Sequence, residues 1–175
     1  MKQAALVMAT GAALMLAACG SETSGEFETA DGKNAEYTID KESGETSMTI
    51  EGEDGEASLR AGVNVPVSLP AGFTLFPGTK VVNNAVVNQP DGQGTMITFE
   101  SDAPADKIVA HYRDAAKAAG FDIQLEMNTN GTQMVAGERK ADSATVSVTA
   151  TPGDGQDGGG SVTTGQIIIA TKKGG

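Results

Sequence analysis

Apolar and polar positions alternate along this chain in several different phases, and the changes of phase mark its elements. Residues 4–16 form one apolar run without a charge. Between 26 and 62 short alternating segments (Ala35/Tyr37/Ile39, Met48/Ile50, Ala57/Leu59/Ala61) are separated by Asp31-Gly32, Ser43-Gly44 and Asp54-Gly55. Period-two alternation between such turns is the hairpin signature and predicts a meander of three or four strands. The segment is also highly charged and holds few large apolar residues (Phe27, Tyr37, Ile39, Met48, Ile50, Leu59). Disordered chains share that composition, so both readings stand at this level. Residues 63–79, with Pro66, Pro70 and Pro77, read as an extended connector or an edge strand broken by prolines.

From Lys80 the pattern sharpens. Strands over 81–88 and 95–100 flank "QPDGQG", a hairpin turn. "SDAPADKIVAHYRDAAKAAG" then follows a helical period: Ile108, Tyr112, Ala115 and Ala119 form one stripe, which Val109 and Ala116 widen. Pro104 suits the first helical position, Asp102 and Asp106 suit the positive end of the helix dipole, and Gly120 suits the C′ position. Phe121, Ile123, Leu125 and Met127 alternate with Asp122, Gln124 and Glu126, which predicts a half-buried strand with the apolar four on one face. "NTNG" turns it back into 132–138. Residues 143–151 alternate again, 152–160 are a Gly/Asp loop, and 161–171 close with Ile167-Ile168-Ile169.

The order β-β-α-β-β-β-β with short turns predicts an α+β fold, a mostly antiparallel sheet packed by one helix as a two-layer sandwich, preceded by a small acidic β-meander. The expected organisation is 1–18 signal peptide, 19–25 tether, 26–62 acidic meander or disordered segment, 63–79 connector and 80–175 α+β domain.

The apolar run follows Lys2 and ends in small residues, the layout of a secretory signal. It is shorter than the roughly 20 residues a spanning helix needs. Its end, Leu16-Ala17-Ala18-Cys19, resembles the lipobox of bacterial lipoproteins. The resemblance implies cleavage before Cys19, a diacylglyceryl group on its thiol and acylation of the new α-amino group with a fatty acid such as palmitate. Stable anchoring needs more than one acyl chain, and this modification supplies it. Lipidation also accounts for an odd cysteine in an exported chain, since Cys19 is the only one. Gly20 stands where an Asp would favour inner-membrane retention in enterobacterial lipoproteins, so the resemblance places the protein at the outer membrane, facing the periplasm. Farther on, "LPAGFTLFPGTKVV" and "APADKIVAHYRDAAKAAGFDI" resemble uncharacterised lipoproteins of sphingomonad-type alphaproteobacteria, a group that implies no activity.

Charge narrows the partners. Residues 20–62 hold 12 Asp/Glu against three Lys/Arg, a net −9, and residues 63–175 are nearly balanced at −3. That excludes a basic nucleic-acid footprint and a Lys/Arg cluster for anionic lipid.

Candidate chemistry is sparse. His111, the only histidine, flanks the helical stripe and reads as a rim packing residue before a base or ligand. Asp154 and Asp157 in the glycine loop lack the spacing of a calcium loop. Glu51, Glu53, Asp54 and Glu56 are the densest carboxylates and read first as solvated charge. There is no Gly-x-Ser-x-Gly. The sequence reading is therefore a lipid-anchored envelope protein, non-catalytic, with no cofactor and no metal, contacting an envelope protein partner. The alternative is a binding module for divalent cations or a small envelope ligand.

Overall fold

The computed structural model describes residues 21–30, 32–53, 55–153 and 162–172. In chain order these form β1 (Glu22–Glu28), β2 (Asn34–Asp40), β3 (Thr46–Gly52), β4 (Gly55–Gly62), β5 (Lys80–Gln89), β6 (Gly92–Ser101), α1 (Ala105–Ala118), β7 (Asp122–Thr129), β8 (Thr132–Arg139), β9 (Ala144–Pro152) and β10 (Thr163–Lys172).

All ten strands belong to one open sheet of order β1-β2-β3-β4-β5-β6-β10-β9-β8-β7, antiparallel throughout. This corrects the α+β two-layer sandwich with a separate meander in front. The acidic strands do not precede the sheet; they are its first four strands. The joint is a ladder from Ser58 opposite Asn88 to Gly62 opposite Asn84, which sets Leu59 beside Val87 and Ala61 beside Ala85. That pairing removes an edge that an isolated meander would leave open. The helix layer is also too small for a sandwich. At about 1.5 Å per residue its 14 residues span roughly 21 Å, and among the strands α1 packs chiefly on β7, β8 and β9.

The core lies between α1, the 63–79 segment and one face of β5–β10. Ile108, Tyr112 and Ala116 are buried against Val135, Val146 and Val148, and Ile97, Phe99, Ile167 and Ile169 continue the layer. Fully burying an aliphatic or aromatic side chain contributes about 1.5–3 kcal/mol. Phe73 and Phe121 meet edge to face at 5.8 Å. Val67, Leu69, Leu75 and Phe76 pack against the core from the 63–79 segment. Asn84, fully buried, secures the same segment by donating from Nδ2 to the carbonyls of Val65 (3.3 Å) and Pro66 (3.0 Å).

The helix stops by a Schellman arrangement. Gly120, at φ 84°, donates its N–H to Lys117 O, and the Phe121 N–H reaches Ala116 O. Arg139 adds a donor at this end. Its Nη1 reaches Ala119 O at 3.1 Å, its guanidinium pairs with Asp142 at 2.7 Å, and it stands 4.8 Å over the Phe121 ring.

The predicted β7 face is overturned by a bulge. The register shifts between Ile123, opposite Gly137, and Leu125, opposite Ala136. One extra residue reverses every side chain beyond it. Ile123 stays on the helix side, whereas Leu125 and Met127 go to the opposite face, at 44% and 42% exposure. Glu126 is turned toward the helix, where Arg113 and Lys117 each lie 3.9 Å away.

Candidate interaction face

Directly opposed residues in an antiparallel ladder project to the same face. Followed through nine pairings, one row crosses the whole sheet away from the helix: Thr23, Ile39, Thr46, Ala61, Ala85, Met96, Ile168, Ser147, Ala136 and Leu125. None of these side chains is charged. On one side runs the row Tyr37, Met48, Leu59, Val87, Gly94, Ala170 and Thr145, uncharged until it ends at Glu138 and Asp122 on β8 and β7. On the other run Asn83, Thr98, Gln166, Thr149, Met134 and Met127, also uncharged. Charge returns only at the ends of strands, as in the Lys80–Glu100 and Lys140–Asp122 pairs at 3.4 and 3.8 Å.

The two faces therefore exchange polarity between β4 and β5. In β5–β10 the helix-side face forms the core. In β1–β4 that same side is polar, with Glu26 opposite Glu36, Thr38 opposite Ser47 and Glu51 opposite Glu56. Arg60, on this side, pairs with Glu45 at 2.6 Å. The apolar residues of β1–β4 take the other side, and with Met96, Ile168, Leu125 and Met127 they make the charge-free face. Nine large hydrophobic side chains are exposed among the described residues. Six of them, Phe27, Ile39, Met96, Leu125, Met127 and Ile168, lie on this one face at 37–44% exposure. Isolated exposed apolar residues are ordinary, but a contiguous field of them marks a contact surface.

Two glycines fit aromatic rings to the sheet. A Cβ at Gly25 would meet the Tyr37 ring at 2.7 Å, so the tyrosine lies across the edge strand. A Cβ at Gly165 would collide with the Phe99 ring and the Thr149 carbonyl.

The residues singled out in the sequence do not converge. Cys19, Asp54, Asp154 and Asp157 lie outside the described residues. His111 sits at the rim of the core, its Nε2 3.3 Å from Thr74 O, its ring edge to face with Phe76 at 5.5 Å and Tyr112 at 5.0 Å. Tyr112 beside it is buried, which raises its hydroxyl above the usual tyrosine range, while the Phe76 N–H it accepts at 3.1 Å acts the other way. Among the described residues no group of three His, Cys, Asp or Glu can hold a metal ion. No helix among them is long and apolar enough to cross a membrane. A shallow groove of about 480 Å³ at the β1–β3 end is lined by Phe27, Ala35 and Thr49 with Glu26, Glu28, Glu36 and Glu51. The charge-free face itself was not foreseen. Its signal is present in the alternation of β2–β4, but only the inter-strand register joins those residues to Met96 and Ile168.

Residues 80–160 match a protein family described as START domain-like. The match runs from the start of β5 through α1 to beyond the end of β9 and leaves out β1–β4 and β10. No curated protein and no solved structure matches the chain.

Proposed function

We propose that this chain is a non-catalytic, lipid-anchored protein of the cell envelope, held at the outer membrane through Cys19, that works by contact through the charge-free face of its sheet. The observation that carries the reading is that face: an uncharged row across ten strands in a chain of net charge −11. The Leu16-Ala17-Ala18-Cys19 resemblance supports the anchor and its address. The START domain-like match supports a binding role, since that fold is a binding fold.

The alternative is capture of a small envelope ligand. It draws support from the same family match and from the acidic groove at Glu26, Glu28, Glu36 and Glu51, whose carboxylates suit a cationic molecule. Divalent-cation binding gains nothing from the geometry, because Glu51 and Glu56 oppose each other and no group of three candidate ligands forms among the described residues.

Two measurements test the main reading. Intact-mass analysis of membrane-extracted protein should show a chain beginning at acylated Cys19, and Cys19→Ser should be unlipidated and unprocessed. Crosslinking in membranes should then give a specific adduct for the wild type that Met96→Lys with Ile168→Lys abolishes. An unlipidated wild type withdraws the address; an adduct indifferent to the double variant withdraws the face.

A further inference from the structure

We infer that Met48, Met96, Met127 and Met134 form a reversible oxidation site, at which a hydroperoxide or hypohalite turns the helix-free face of the sheet from apolar to polar without unfolding the protein. This goes beyond the contact reading above. It stands on the placement and chemistry of the four thioethers, whatever that face meets.

The first observation is where the methionines are. The chain holds seven, three of them within residues 1–20. The other four lie in four different strands, β3, β6, β7 and β8. In the ladders Met48 stands opposite Tyr37 and Leu59, Met96 opposite Ala85 and Ile168, and Met127 opposite Met134. All four therefore project from the face away from α1. Methionine commonly fills gaps in cores, yet none is among the described residues that form the core under α1.

The second is access. Met96 and Met127 are 37% and 42% exposed, and Met48 and Met134 are half-buried. The β7 bulge contributes to this, because it carries Met127 to the same face as Met134. The third is the lack of competition. Residues 20–175 contain no cysteine and no tryptophan, which leaves these thioethers as their most readily oxidised side chains.

The step balances without a cofactor. A lone pair on Sδ attacks the distal oxygen of a hydroperoxide. The S–O bond forms, the O–O bond breaks, and the proton of the transferred oxygen passes to the leaving oxygen, which departs as water or an alcohol. Sulfur loses two electrons and the peroxide gains them; with a hypohalite the leaving group is a halide ion. The sulfoxide is polar where the thioether was apolar, a change that disrupts a core. At these four positions no core contact is lost. Reduction by a thiol-dependent reductase converts two thiols to a disulfide and releases the oxygen as water.

The test exposes the full-length protein in detergent to hydrogen peroxide and follows each methionine by peptide mass mapping, with the same protein in denaturant as the reference. Met96 and Met127 should gain one oxygen first, at rates within about tenfold of those in denaturant, with Met48 and Met134 following. Circular dichroism should keep its strand signature throughout, and the melting temperature should stay within about 4 °C of the untreated protein. Methionine sulfoxide reductases for both epimers, supplied with a dithiol, should return the folded protein to its original mass. Met96→Leu with Met127→Leu should remove the two early additions and leave the later two. Protection of Met96 and Met127 by more than about tenfold overturns the inference. So does loss of the strand signature as the four oxidise, or sulfoxides that the reductases reach only after unfolding. None of these outcomes bears on the anchor or on the crosslinked adduct, so the contact reading stands or falls separately.

Discussion

Met96 of β6 stands directly opposite Ile168 of β10 in the middle of the sheet, on the side away from the helix, and each is more than a third exposed, at 37% and 38%. One position along, the same two strands pair Ile97 with Ile167, both fully buried. The centre of the sheet thus presents apolar side chains on both faces, and only one face is covered. Central strands with two apolar faces are expected where both are packed.

Gly165→Ala should destabilise the fold by about 1–3 kcal/mol, the cost of overpacking a filled site. The added methyl has to displace the Phe99 ring or the Thr149 carbonyl. Urea unfolding measures it. Gly165→Ala combined with Phe99→Leu should lose less than the sum of the two single changes, because the shorter side chain removes the collision.

Asn84→Ala should cost about 1–3 kcal/mol, since it leaves the buried Val65 carbonyl, and the part-buried bond to Pro66, without their donor. Hydrogen exchange should accelerate in residues 63–79 before it changes in β8 and β9. Uniform acceleration across the sheet would contradict a local tie between β5 and that segment.

The Arg139–Asp142 pair gives a signed pH dependence. The guanidinium hydrogen bond holds the Asp142 carboxyl below its ordinary value of 3.8. A carboxylate depressed in the folded state adds stability that is fully present above the unfolded value and is lost as pH falls through the folded one. Wild-type stability should therefore drop below about pH 4, and Asp142→Asn should flatten that part of the curve. Asp40, lowered by the backbone N–H groups of Ser43 and Glu42, contributes in the same direction and remains in the variant. Melting temperature against pH for both proteins is the measurement.

Tyr112 has the opposite sign. Burial raises its hydroxyl above the ordinary 10.0. Its contribution is present below the unfolded value and is lost as pH rises through the folded one. Tyr112→Phe should cost roughly 1 kcal/mol at neutral pH through the lost Phe76 hydrogen bond. The variant should be less sensitive than the wild type above pH 10, read by urea unfolding at pH 7 and pH 10.5.

The legible parts were those decided within one element. Ile108, Val109, Tyr112 and Ala116 are buried as the helical stripe implies, and Val146, Val148 and Ala150 are buried as the β9 alternation implies. Asn130 and Gly131, both at positive φ, make the β7–β8 turn read from "NTNG". What failed depended on relations between elements. Leu125 and Met127 were placed with Ile123 because a bulge at Gln124 leaves no mark in a period-two pattern. The acidic strands were set apart from the sheet because their pairing with β5 is fixed by Leu59 meeting Val87 and Ala61 meeting Ala85, residues separated by the whole 63–79 segment. The interaction face was invisible for the same reason: no stretch of sequence holds more than three or four of its residues.

The most direct measurement replaces Ile168 or, separately, Lys107 with a photo-crosslinking residue in cells carrying the full-length protein. Lys107 is exposed on α1, on the far side of the sheet from Ile168. A contact role for the charge-free face requires a discrete adduct from position 168 and none from position 107. No adduct from 168, or the same adducts from both positions, would contradict it.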